Sequence, residues 1–75
     1  MDSEELLLLA LARRAQTVGR TLRLQMGLSQ AEVASAVGCD RAQIARWETG
    51  VTLRPRRDSA LAYGALIAAW LAADE

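Results

Sequence analysis

The chain has 75 residues, one cysteine and no histidine, enough for one small domain but not for a disulfide framework, an ordinary zinc site or a catalytic triad that needs histidine. It is 52% hydrophobic, only 4% aromatic and has a single proline, so Leu and Ala packing between helices is expected rather than a sheet. The formal net charge of zero is unevenly spread: all nine arginines lie between Arg13 and Arg57 with only Glu32, Asp40 and Glu48 among them, a local charge of +6 that can bind a polyanion.

Asp2 and Glu5 form a capping box ahead of an apolar run, which predicts a helix start at Ser3. The pattern continues to Met26 without a proline, and Gly27 suits a left-handed residue just beyond a helix. A first helical region over 3–26 is expected, kinked near Thr17 to Gly19, where Gly19 costs about 1 kcal/mol relative to alanine. Ser29 with Glu32 is a second capping box, for a helix from Gln30 to Val37 that is too short to stand without packing. Gly38 ends it. Asp40 with Gln43 gives a third cap, in the form Asp-x-x-Gln, for a helix to Glu48 that Gly50 closes. Val51 to Arg56 is a loop, because Pro55 disfavours helix before it. The last helix starts at Arg57 or Asp58 and can run to Ala73.

Two stretches are uncharged and apolar, the seven residues from Leu6 to Ala12 and the fourteen from Ala60 to Ala73. Both are shorter than the about 20 residues that span a bilayer, and the acidic start does not suit a signal peptide. A cytoplasmic location and no membrane partner are expected.

Two short helices joined by a tight glycine-containing turn are the skeleton of a helix-turn-helix. The residues are more specific than the skeleton. Leu28-Ser29-Gln30-Ala31-Glu32-Val33-Ala34 is followed by Val37-Gly38, then by Ile44, Trp47, Glu48 and Gly50. Gly19-x-x-Leu22-Arg23 and Gly27-Leu28 precede them. Over roughly Val18 to Ala62 the sequence resembles the Xre/Cro-type helix-turn-helix family of phage repressors and bacterial regulators. The resemblance implies an all-α fold of the lambda-repressor-like type, of about four helices. The expected layout is a single domain over 1–75, with its helix-turn-helix core at 29–49 and extended terminal helices at 3–26 and 57–73.

On a helical wheel, Ile44, Trp47 and the cap Asp40 share one side of the third helix, and Ala42, Ala45, Arg46 and Thr49 the other. One face can pack while a small, basic face looks outward, and a major groove admits such a helix. Through the resemblance, Arg41, Ala42 and Arg46 are the expected base readers, with Gln43 beside them. Arginine on guanine is the commonest specific contact, and alanine can meet a thymine methyl. Ser29 and Gln30, at a helix N-terminus that offers N–H groups to an anion, and Thr52, Arg54 and Arg56 in the loop are expected at phosphates. The resemblance also implies a structural ion pair between Arg23 and Glu48. A half-buried packing role is expected for Cys39. No catalytic residue, cofactor or metal is expected.

The pattern departs from the family at both ends. One long helix from Asp58 to Ala73 replaces two short ones, and it is apolar on every side. A helix of that kind must be buried all round. A homodimer interface is therefore expected, built from Leu7, Leu61, Ala65, Leu66 and Trp70, with Gly64, Ala65, Ala68 and Ala72 letting helices approach closely. The expected function is a sequence-specific regulator that binds a palindromic operator in double-stranded DNA as a homodimer, with the helix at 40–48 in the major groove. The alternative is a protein-binding module of the same fold, an antitoxin or antirepressor, whose apolar terminal helices meet a second regulatory protein.

Overall fold

The computed structural model describes residues 2–50 and 57–73. Among them the order is α1 (Ser3–Ala12), a π turn (Ala15–Gly19), α2 (Arg20–Gln25), α3 (Gln30–Val37), α4 (Arg41–Glu48) and α5 (Arg57–Ala73), with no strand. The all-α class expected from the sequence is what these residues form. The expected loop from Val51 to Arg56 lies outside the described residues.

α1 begins where Asp2 adopts extended backbone and its carboxylate accepts the Glu5 N–H at 2.8 Å. The single helical region expected over 3–26 is instead two helices. α1 closes with the Arg13 N–H on the Leu9 carbonyl, and the Arg14 carbonyl then accepts the N–H groups of Thr17, Val18 and Gly19 at 3.2, 2.9 and 3.0 Å. The Gly19 bond spans five residues, as does the one from the Arg20 N–H to the Ala15 carbonyl, so the backbone widens into a π turn. The break therefore starts at Arg13, ahead of the kink expected near Thr17 to Gly19. Gly19 itself is helical, with φ −60°. What matters there is the missing side chain, because a Cβ would run into the Tyr63 hydroxyl.

The core gathers Leu22 of α2, Val33 and Val37 of α3, Ile44 of α4, and Tyr63, Ile67 and Trp70 of α5. The last three recur at helical spacing, which makes them one stripe. Trp70, expected between two chains, is 4% exposed and belongs to this core. The apolar circumference of α5 did not reveal which side faces inward; packing against the other helices decides it.

α5, expected to be covered by a second chain, is covered in part by α1 of its own chain. α1 lies against α5, and Gly64 is the contact point, where a Cβ would overlap the backbone of Leu8. The close approach assigned to Gly64 takes place within one chain. Arg57 at the start of α5 pairs with Glu5 of α1. Leu6 and Leu7 still face outward, at 55% and 60% exposure, as do Ala65, Leu71 and Ala72. Among the described residues no helix is long and apolar enough to cross a membrane.

Candidate nucleic-acid interface

The site is built by two capped helices. Ser29 takes extended backbone, its hydroxyl accepts the Glu32 N–H, and Glu32 accepts the Ser29 N–H, both at 3.0 Å. This reciprocal cap fixes the start of α3 and sets Gln30 in its first turn. The bonds from Ser29 also hold the Glu32 carboxyl below its ordinary range. α3 ends at Gly38, whose φ of 85° lies in the left-handed region that suits glycine. The chain turns through half-buried Cys39 and extended Asp40 into α4. Burial, with Asp40 adding to it, pushes the Cys39 thiol up, opposite to the shift a reactive thiolate needs. Asp40 stands at the cap position, but its side chain makes no capping bond, so the expected Asp-x-x-Gln cap is one of position only.

α4 presents two faces. Ile44 and Glu48 are buried, and Trp47 is half-buried. Arg41, Ala42, Arg46 and Thr49 are exposed, and Ala45 is half-buried between the two faces. The three residues expected to read bases are thus all exposed on α4. Gln43 does not join them cleanly: it is half-buried, and its amide nitrogen is enclosed with no partner among the described residues. Thr52, Arg54 and Arg56 lie outside the described residues. Trp47 stacks on Tyr63 with ring centroids 4.9 Å apart, which ties α4 to α5.

Behind this face, the Arg23 guanidinium grips the Glu48 carboxylate through Nε at 2.6 Å and a terminal nitrogen at 2.9 Å. Its other terminal nitrogen donates to the Leu28 carbonyl at 2.9 Å. Both residues are buried, and the bidentate bond with Glu48 keeps the guanidinium pKa raised against the opposing effect of burial. The pair joins α2 to the C-terminal turn of α4.

The sequence did not anticipate the place of Gln30. Its side-chain amide donates to the Glu48 carboxylate at 3.2 Å, so it belongs to the same network as Arg23. The usable sequence signal was the capping box, which puts position 30 at the first turn of α3. Nothing local showed that this turn would stand over the end of α4. Leu61 and Leu66 are half-buried, Ala65 is exposed, and Leu7 is the most outward of the leucines expected at an interface.

Folded as two capped helices with a basic outward face, braced by a buried ion pair, residues 20–50 have the form of a DNA-binding helix-turn-helix. A helix-turn-helix family model of the Xre/lambda-repressor-like type matches residues 20–62, more than half of the chain. The chain belongs to this family, whose members are DNA-binding regulatory domains rather than enzymes. No curated protein and no solved structure matches it. α1, the π turn and most of α5 lie outside the matched span.

Proposed function

We propose that the protein is a sequence-specific transcriptional regulator of the repressor or Cro type, acting in the cytoplasm on double-stranded DNA. The observation that carries this reading is the outward face of α4, where Arg41, Ala42 and Arg46 are exposed while Ile44 and Glu48 are buried. α4 enters the major groove. Arg41 and Arg46 reach base edges, and Ala42 allows close approach or meets a thymine methyl. Ser29, Gln30, Thr52, Arg54 and Arg56 hold phosphates, and Gln43 contributes at the edge of the face. No cofactor, metal or catalytic step takes part.

A homodimer on a palindromic operator completes the proposal. Leu7, Leu61, Ala65 and Leu66 are its interface, without Trp70. Two-fold symmetry sets the two recognition helices about 34–36 Å apart or a multiple of that. Exposed Leu6 and Leu7 on α1 also favour a second reading, in which a different regulatory protein covers α1. The direct test is a salt titration of DNA affinity. If six phosphates are neutralised per complex, affinity falls by about 10³ or more between 50 and 200 mM salt. A flat titration contradicts the reading.

A further inference from the structure

We propose that Glu48 is a positioning residue for DNA, acting through Gln30: the buried carboxylate holds the Gln30 amide so that its remaining N–H is set for one phosphate. The inference rests on the DNA-binding reading above and goes beyond it by coupling the buried ion pair to a backbone contact.

The argument begins with the acceptors. One oxygen of Glu48 takes the Arg23 Nε at 2.6 Å. The other takes two donors, the second guanidinium nitrogen at 2.9 Å and the Gln30 amide at 3.2 Å. A buried carboxylate needs such donors on both oxygens to offset its lost hydration. It also decides which end of the Gln30 amide faces it, because the amide oxygen would be repelled and only the nitrogen can donate. Gln30 is half-buried, so this bond is shielded from water more than a surface contact would be. The nitrogen has two hydrogens, and one is spent on Glu48. The second is held at the N-terminal turn of α3, where the backbone N–H groups already favour an anion.

Arg23 is buried, and each of its three nitrogens already donates one N–H, to Glu48 or to the Leu28 carbonyl. Its part is to anchor Glu48, whose part is to anchor Gln30. A merely structural role for Gln30, as one more donor to the carboxylate, would change folding stability and leave DNA affinity alone. The two roles therefore separate in experiment.

The test uses the full chain and a duplex selected from a random pool, with affinity read by anisotropy and stability by thermal melting. Gln30→Ala weakens binding about tenfold, the size expected for one charge-assisted hydrogen bond. In a Glu48→Asp background, which keeps the charge but draws the carboxylate back by one methylene, the penalty of Gln30→Ala falls below about twofold. A second measurement needs no change at Glu48: single phosphates are replaced in turn by neutral methylphosphonate. One position weakens the wild type about tenfold and leaves Gln30→Ala unaffected. A Gln30→Ala penalty that is absent, or that has the same size in both backgrounds, overturns the positioning role while DNA binding stands. A wild type that binds no duplex overturns the DNA reading and this role together.

Discussion

Gly64 of α5 lies directly against the backbone of Leu8 of α1, close enough that no side chain fits between them. The contact seats the N-terminal helix on the C-terminal one, next to Tyr63, which stacks on Trp47 of α4. Gly64→Ala therefore has to push α1 away. Overpacking costs about 1–3 kcal/mol, and because the clash is with backbone that cannot swing aside, the cost should sit at the upper end and exceed the about 1 kcal/mol that alanine gains over glycine inside a helix. Thermal melting should show a loss of about 4–8 °C for each kcal/mol in a domain of this size. An unchanged or higher midpoint would mean that α1 does not sit on α5 at this point.

Tyr63 is fully buried, and its hydroxyl has no partner among the described residues. An enclosed, unsatisfied donor is costly, so Tyr63→Phe should stabilise the protein by about 1 kcal/mol in urea unfolding. Burial, with Glu48 adding to it, pushes the phenol well above its ordinary value. The folded state keeps a proton that the unfolded chain releases from about pH 10 upward. The contribution of Tyr63 is thus fully present below pH 10 and is lost as pH rises beyond it. Cys39 is also pushed up by burial and starts to act earlier, so the comparison belongs in a Cys39→Ser background. There, Tyr63→Phe should flatten the alkaline fall in stability. A fall of equal steepness in both proteins contradicts the assignment.

Much of the local architecture was legible because its causes are local. The Ser29–Glu32 box, the left-handed turn at Gly38 and the start of α5 near Arg57 are decided by neighbours within a few residues. The break at Arg13 was not, because a five-residue hydrogen bond leaves no pattern in composition. Gly19 reads locally as a weak point in a helix, yet its reason is Tyr63, 44 positions away. Trp70 was misplaced because a helix apolar on every side does not announce which stripe meets the core. In the candidate site, the outward place of Ala42 and Arg46 follows from helical spacing, whereas that of Arg41 came from the family resemblance. The bond from Gln30 to Glu48 depends on how α3 crosses α4, which no local signal encodes.

Arg46 and Arg54 should separate base reading from phosphate anchoring. Arg46 is exposed one turn along the outward face of α4, so Arg46→Ala should relax preference at one base pair per half-site, at about 1–3 kcal/mol there. Arg54→Ala should weaken all sequences alike and reduce the salt slope by about one. Affinities across a panel of single-base variants distinguish the two. Uniform loss in both mutants contradicts the docking of α4.

Assembly is tested at Leu7, which is 60% exposed and does not belong to the core of its own chain. Leu7→Glu should leave the fold intact and give monomers in sedimentation equilibrium, whereas the wild type should sediment as a dimer. DNA affinity should fall with the loss of the second half-site. A wild type that is monomeric at micromolar concentration contradicts the homodimer and leaves α1 to a different partner.

Selection of bound sequences from a random duplex pool by the wild-type chain tests the central claim most directly. The account predicts enrichment of an inverted repeat whose half-sites are centred about 10–10.5 base pairs apart or a multiple of that. It predicts guanine at the positions that Arg41 and Arg46 meet. A pool that shows no enriched sequence after repeated rounds, while the chain remains folded, would contradict it.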